Sequence, residues 1–339
     1  MFGMVVLMFE KVFIEKGVID SKYTQRILSK LKCTEYTELE KVEDVWGRVK
    51  KPYLQKRKTL NLFIGRKVGE LVKETPDAYG IGTQKHYYFI HAYNCIYECQ
   101  YCYLQGYFNT PDIVLFVNHD EIIEQMQLRV DQNPDAWFHA GEFSDSLALS
   151  HLTGEWDEYW DFFKRNQEAK LELRTKSVNL KSILDLEPLS NIYVSFTLAG
   201  FKEGKEFDLK TPSVKARLSA IKKLVEKGFM IGLHFDPIIY TDTTIESYEN
   251  IIKMIAEIIP PHLLGYISIG VVRFTKDVYR EVENNYSDSP MLLQNFNKSF
   301  DGKVRYSKPM RMWILNTVRD ICLKNKIEDK KIYLCMEED

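Results

Sequence analysis

The sequence predicts an α/β fold: a partial parallel βα barrel of about six strands with a small N-terminal α/β extension. Three observations carry this. From Tyr87 onward, short apolar runs alternate with amphipathic stretches of 10 to 15 residues, the pattern of repeated parallel strand–helix units. A shorter strand-then-helix pattern precedes them. The 339 residues are 45% hydrophobic and 13% aromatic, enough for a large core and unlike a disordered chain.

In chain order, residues 1–9 are apolar but short. They lack a basic leader and a small-residue cleavage site, so they read as a first strand and not as a secretion signal. A strand at 12–15 and a helix at 21–31 follow. Between Val45 and Gly69 there is no acidic residue, while Arg48, Lys50, Lys51, Lys56, Arg57, Lys58, Arg66 and Lys67 lie there among Trp46, Tyr53 and Phe63. Such interleaving suits a phosphate backbone and stacked bases, and equally a solvated face of the extension. The strand-like runs are 87–92, 136–140, 171–175, 192–198, 230–235 and 266–273. Helical stretches fall at 120–131, 155–167, 213–227, 244–258 and 276–286. A helix from Ser307 to about Lys324 and a short strand at 332–335 close the chain. The expected division is 1–80 for the basic extension, 81–290 for the barrel and 291–339 for a completing helix and strand. A site is expected at the C-terminal strand ends, as in closed barrels.

The stretch His91-Ala-Tyr-Asn-Cys95-Ile-Tyr-Glu-Cys99-Gln-Tyr-Cys102 directly follows the first run. Thiolate is the soft ligand of iron–sulfur clusters, and Cys-x3-Cys-x2-Cys supplies three irons of a four-iron cluster. The fourth iron stays open, where an electron carrier would have a fourth Cys. The competing reading is half of a structural zinc site with His91 as fourth ligand. Cys33, Cys322 and Cys335 are scattered and read as buried small hydrophobes.

This spacing, with Tyr101 before the last Cys, resembles the radical S-adenosylmethionine (SAM) superfamily. The resemblance implies a [4Fe–4S] cluster on Cys95, Cys99 and Cys102, with SAM chelating the open iron. Reductive cleavage would give a 5′-deoxyadenosyl radical that takes a hydrogen from substrate, with flavodoxin or ferredoxin as the electron source. Tyr101-Cys102-Tyr103-Leu104-Gln105, continuing to Phe116-Val117-Asn118-His119-Asp120, resembles the spore photoproduct lyase family, which splits a thymine lesion in spore DNA. So do Phe143-Ser144-Asp145-Ser146 with His151-Leu152-Thr153, then Arg174-Thr175-Lys176, and Arg273-Phe274-Thr275-Lys276 before a helix and Tyr286. The resemblance spans about residues 58–320. One departure stands out: characterised lyases carry at position 142 a Cys that quenches the product radical, whereas this chain has Glu142 and no Cys between Cys102 and Cys322. A carboxylic O–H is a poor hydrogen-atom donor, which leaves a Tyr, an external thiol or a different radical reaction.

By the same resemblance, Gly141 and Glu142 receive the SAM amino group, with Gly141 allowing close backbone approach. Ser144 lies in the same turn, where it and Asp145 also suit a helix N-cap. Lys176 would neutralise the SAM carboxylate or be a surface lysine. Ser195 would bond SAM or satisfy a core neighbour, and the Tyr101 backbone would face adenine. Tyr103 and Gln105 are candidates for the substrate side. Arg273 suits a phosphate or an internal ion pair, and His234 and Asp236 are either substrate contacts or core groups. Arg48, Lys51 and Arg57 are the nucleic-acid candidates. The expected function is a radical SAM enzyme on nucleic acid, with a UV-type pyrimidine lesion as substrate and DNA as partner. The alternatives are a small-molecule or peptide substrate, and a non-catalytic metal-stabilised nucleic-acid-binding module. A net charge of −2 gives no global pull toward nucleic acid. No run reaches the roughly 18 apolar residues of a membrane span, and a reduced cytoplasmic setting is expected.

Overall fold

The computed structural model describes residues 8–45, 59–76, 82–108 and 110–337. It begins with β1 (Phe9–Glu15), α1 (Lys22–Leu31), β2 (Thr37–Leu39) and β3 (Leu60–Gly65). The Ser21 hydroxyl accepts the Thr24 N–H to start α1, and Lys32 ends it in the left-handed region. Next come β4 (Val72–Glu74), β5 (His86–Phe89), β6 (Ala92–Tyr93), the short β7 (Glu98–Cys99) inside the cysteine loop, and β8 (Ile113–Phe116). The repeating part follows as α2 (His119–Gln132), β9 (Trp137–His139), α3 (Ser150–Thr153), α4 (Trp156–Arg165), β10 (Lys170–Thr175) and β11 (Ile192–Thr197). It continues with α5 (Phe201–Phe207), β12 (Asp208–Leu209), α6 (Val214–Lys227), β13 (Met230–Ile238), α7 (Thr244–Ile258) and β14 (Leu264–Val271). The last elements are β15 (Arg273–Thr275), α8 (Lys276–Asn285), β16 (Asn297–Lys298), β17 (Lys303–Arg305), α9 (Lys308–Lys324) and β18 (Ile332–Leu334).

The main sheet runs β18-β14-β13-β11-β10-β9-β5-β4. The strands β5, β9, β10, β11, β13 and β14 are parallel and lie side by side in chain order. These are the six expected strands of a partial barrel. β18 extends the sheet in parallel beyond β14, and β4 caps the other end antiparallel to β5. The helices cover the outer face. Ile122, Met126, Phe162, Phe163, Leu218, Ile221, Ile251, Ile255, Ile314 and Val318 pack on Phe138, Leu171, Leu173, Val194, Phe196, Leu233 and Ile267 in one buried cluster. Burial of this apolar face is the main force holding helices to sheet.

A second sheet, β2-β1-β3-β8-β6, forms the smaller unit. The expected boundary at residue 80 does not coincide with the sheets. β4, which precedes it, pairs with β5 of the main sheet, while β6 and β8, which follow it, join the N-terminal sheet. The chain thus crosses between the sheets on either side of the cysteine loop. Among the described residues, no helix is long and apolar enough to cross a membrane.

Candidate active site

Strand alternation gives the barrel two unlike faces. The outward residues are apolar, while the inward ones are His86, Tyr88, Trp137, His139, Glu172, Arg174, Tyr193, Ser195, His234 and Tyr266. At their centre lies Glu172, only 1% exposed. Its Oε1 accepts from His234 Nε2 at 2.6 Å, from the Tyr266 hydroxyl and from Arg174 Nε at 3.4 Å. Its Oε2 bonds His139 Nδ1, and His139 Nε2 meets His86 Nδ1 at 2.9 Å. Burial alone would raise the Glu172 pKa, but Arg174, His139 and His234 outweigh it and hold it well below the usual carboxylate range. Burial, together with Arg174, lowers His234. Ser195 belongs to this floor: it is fully buried and its hydroxyl lies 2.7 Å from that of Tyr266. Gly232 makes room for the pair, since a Cβ there would come within 2.3 Å of Ser195 Oγ.

Over the C-terminal strand ends lies the cysteine loop. Asn94 opens it in the left-handed region, and its Nδ2 donates to the Thr110 and Asp112 carbonyls, each at 2.7 Å. Cys99 pairs with Asp208 through the β7–β12 ladder. Gln100 adds two bonds of 2.9 Å, from its N–H to Phe207 and from Nε2 to Glu206. The Tyr101 hydroxyl bonds Asp208, which is also 2.7 Å from the fully buried Arg217. Gln105 turns its amide onto the loop itself: Nε2 donates to the Gln100 carbonyl at 2.9 Å, and Oε1 accepts from Asn285 at 2.9 Å. It therefore clamps the loop. The loop is positioned by backbone ladders and buried side-chain anchors, not by its own regular structure.

Cys95, Cys99 and Cys102 are free thiols, the first and last half-buried and Cys99 buried. Burial pushes all three up, Cys95 well above its ordinary value and Cys99 to about 12, with Lys176 pulling Cys99 the other way. Cys95 lies in electrostatic range of both other thiols. The described side chains include no group of three His, Cys, Asp or Glu placed to hold a single metal ion. His91, the candidate fourth ligand of a zinc site, is already engaged. Its Nε2 is 3.1 Å from the Ala140 carbonyl, and its Nδ1 is 3.5 Å from the Glu155 carboxylate. Three thiols sharing one region beside the Lys176 cation fit an anionic iron–sulfur cluster, whose ligands bind as thiolates.

Facing the loop is the turn after β9. A Cβ on Gly141 would come 2.7 Å from Arg174 Cβ and 2.8 Å from the Arg174 carbonyl. Gly141→Ala is therefore expected to cost about 1–3 kcal/mol, read as a lower denaturation midpoint; an unchanged midpoint would contradict this close packing. The Tyr103 hydroxyl bonds the Glu142 carbonyl, tying loop to turn. Burial raises the Glu142 carboxyl, with Arg174 and Tyr103 pulling it back. Ser144 is half-buried in this turn, but Asp145 does the anchoring. Asp145 accepts from the N–H groups of Leu147 and Ala148 at 3.0 and 2.9 Å, from Thr175 Oγ1 at 2.6 Å and from Lys176 N at 2.7 Å. Lys176 thus leaves β10 toward the loop, with Nζ 5.5 Å from the Tyr101 ring. Burial would lower its pKa, but Cys99 and Asp208 keep it raised.

Other expected residues fall elsewhere. Arg273 holds Asp236 at 3.0 and 3.2 Å, the internal ion pair. His234 is a satisfied member of the Glu172 network. Arg48, Lys51 and Arg57 lie outside the described residues. Of the same basic stretch, Arg66 is paired with Glu121 at 2.7 and 2.8 Å, and Phe63 stacks in the core on Phe13 at 4.7 Å. Sequence reasoning gave no role to Glu172, His139 or the Asp208–Arg217 pair, and saw in Asp145 only an N-cap candidate. A signal for the lumen residues was present: parallel strands covered on both faces usually read as continuous apolar runs, whereas 170–174 alternates Lys, Leu, Glu, Leu, Arg.

The comparisons with known proteins agree with this geometry. Spore photoproduct lyase from Bacillus subtilis (strain 168) is 25% identical over 228 residues, 64% of this chain and 67% of that protein. The lyase from Geobacillus sp. (strain Y412MC61) is 26% identical over 214 residues, 62% of this chain and 63% of that one. The matched region spans about two thirds of each relative. A solved spore photoproduct lyase complexed with dinucleoside spore photoproduct superposes with a TM-score of 0.78 at 20% identity, covering 97% of this chain and 98% of that one. A variant with bound AdoMet and the same dinucleoside gives 0.77 at 20% identity, covering 98% and 100%. These likenesses establish that the chain has the fold of those structures. The profile of the family described as spore photoproduct lyase runs through both sheets and the cysteine loop, from residue 8 to 330, and the chain belongs to that family.

Proposed function

We propose that this protein is a radical SAM enzyme that repairs a thymine photoproduct in DNA, with a four-iron cluster held by Cys95, Cys99 and Cys102. The observation that carries the reading is the set of three thiols, one buried and two half-buried, poised over a lumen lined by buried polar side chains. When bound, the cluster and SAM supply a hydrogen-abstracting radical, and the chain supplies position and shielding. Lys176 offers a positive charge for a carboxylate beside Cys99 and Cys102. Glu142 and the exposed backbone at Gly141 offer an acceptor for an ammonium group. Asp145 fixes both sides of this arrangement, because it bonds the turn and the first N–H after β10. The Glu172 network ties His139, His234, Tyr266 and Arg174 together at the lumen floor. Arg174, its side chain 26% exposed, brings positive charge beside the Gly141 turn, suited to a phosphodiester. Tyr103 and Tyr107, 40% and 57% exposed, present aromatic faces on which bases stack.

The relatives and solved structures named above are lyases of the spore photoproduct, and two of the structures contain the dinucleoside form of the lesion. A DNA substrate places the protein in the cell interior, and a small electron-transfer protein such as flavodoxin or ferredoxin would reduce the cluster. The test is anaerobic reconstitution with iron and sulfide, then SAM turnover with and without DNA carrying the photoproduct. Formation of 5′-deoxyadenosine that rises with lesion DNA is expected. Turnover indifferent to DNA would move the substrate to a small molecule or peptide. A well-formed cluster with no turnover would overturn the enzyme reading.

A further inference from the structure

One thiol in the lumen has no part in the site described above. β18 lies parallel to β14, with Ser268 opposite Tyr333 and Ile269 opposite Leu334, and the Cys335 N–H donates to the Ile269 carbonyl at 2.8 Å. Alternation turns Tyr333 and Cys335 to the face that carries Tyr266 and Ser268, and the rings of Tyr333 and Tyr266 are 6.1 Å apart. Cys335 is 7% exposed. Its Sγ accepts from Arg273 Nη2 at 3.4 Å, and the same guanidinium grips the Asp236 carboxylate beside it. Gly270 leaves room for this trio, since a Cβ there would come within 2.6 Å of Asp236 Oδ1 and 3.1 Å of Arg273 Nη1.

Two observations tie this thiol to the substrate space. The Trp137 ring on β9 meets the Tyr266 ring on β14 at 5.9 Å although three strands lie between them, and Tyr88 on β5 feels the charges of Glu142, Arg174 and Cys335 together. The sheet therefore curls until its two ends border one space, with Glu142 on one wall and Cys335 on the opposite wall. Independently, the fully buried Ser268 hydroxyl lacks a hydrogen bond of ordinary geometry, although Tyr333 lies beside it. Such a group in a lumen wall is one a polar ligand atom satisfies.

We propose that Cys335 is the hydrogen-atom donor of this chain, quenching the substrate radical from the opposite wall to position 142. This rests on the lesion-cleaving reading. In the step, the S–H bond of Cys335 breaks homolytically and a C–H bond forms on the thymine carbon that carries the unpaired electron. One hydrogen atom moves and no charge is transferred. The sulfur radical left on Cys335 takes a hydrogen atom from an external low-molecular-weight thiol, whose own radicals pair as a disulfide. Burial and the Asp236 carboxylate push the Cys335 thiol up to about 12, so the S–H is present at neutral pH, as donation of an atom requires.

The test compares wild type, Cys335→Ser and the core control Cys322→Ala on dinucleoside spore photoproduct in deuterated water. Exchangeable thiol hydrogen should appear as deuterium in the thymine made by wild type and by Cys322→Ala. Cys335→Ser should lose that deuterium and drop on the order of tenfold or more in thymine yield. A second readout needs no cluster: N-ethylmaleimide labelling of the isolated chain, with and without the dinucleoside, followed by mass spectrometry. Bound ligand, registered by tryptophan fluorescence, should slow labelling at Cys335 and not at Cys33. Equal yield and equal deuterium in Cys335→Ser, or ligand binding that leaves Cys335 labelling unchanged, would overturn the assignment. Failure of the wild type to bind the dinucleoside would instead remove the lesion-cleaving reading, and this inference with it.

Discussion

Cys99→Ala is expected to reduce iron and sulfide content to background and to abolish SAM cleavage, while the chain stays folded. Cys99 is the central thiol of the loop and sits in the β7–β12 ladder opposite Asp208. The ladder is made of backbone bonds, which alanine keeps. The loop is also held by Gln100, Gln105, Asn94 and the Tyr101–Asp208–Arg217 chain, none of which uses the sulfur. Two remaining thiolates cannot replace three, because a cluster needs each iron held. Metal analysis and the visible charge-transfer band would show the loss, and circular dichroism of the apo protein would show the retained fold. A variant that loads iron as well as wild type would contradict the ligand assignment.

The second large effect concerns stability. Glu172→Ala removes the acceptor of His139, His234, Tyr266 and Arg174 at once. Breaking a buried ion-paired network by deleting one member costs about 3–5 kcal/mol, which for a chain of this size is a fall on the order of 5–10 °C in Tm. The network also sets a pH dependence. The Glu172 pKa is depressed in the fold, so its contribution is full above its unfolded value of 4.5 and fades as pH falls toward the folded value. His234 is lowered from 6.5, so the fold also loses stability as pH falls below that value and a proton is forced onto the ring. Both terms act in the same direction, and wild-type Tm should drop steadily on acidification. In Glu172→Gln the decline below pH 4.5 should be shallower. Calorimetry across that range checks both, and an acid limb identical to wild type would contradict the account.

The parallel barrel was legible because its outer face is built of apolar positions at period two, and its helices have stripes that match. The cysteine loop was legible because three thiols within eight residues have few structural explanations. The lumen was not legible, because a polar residue alternating with Leu or Val reads equally as a solvent-facing position. Glu172 looks like a surface residue until the sheet curls and closes it in. The mixed membership of the two sheets was hidden for a different reason. β8 pairs with β3, and β6 with β8, and such long-range choices leave no local mark. Asp145 was seen as an N-cap candidate, but its first oxygen closes the turn at Leu147 and Ala148, ahead of the helix that starts at Ser150. Its second oxygen, on the Lys176 N–H, depends on β9 and β10 being neighbours, which only the fold reveals. Cys335 looked like a scattered core cysteine and became notable only when β18 was found beside β14.

The most direct test of the central claim is chemical. Anaerobically reconstituted, reduced wild type is incubated with SAM and dinucleoside spore photoproduct, and the products are separated and weighed by mass spectrometry. The account predicts conversion of the lesion to two intact thymines, dependent on Cys95, Cys99 and Cys102. Abundant 5′-deoxyadenosine with the lesion recovered unchanged would contradict it.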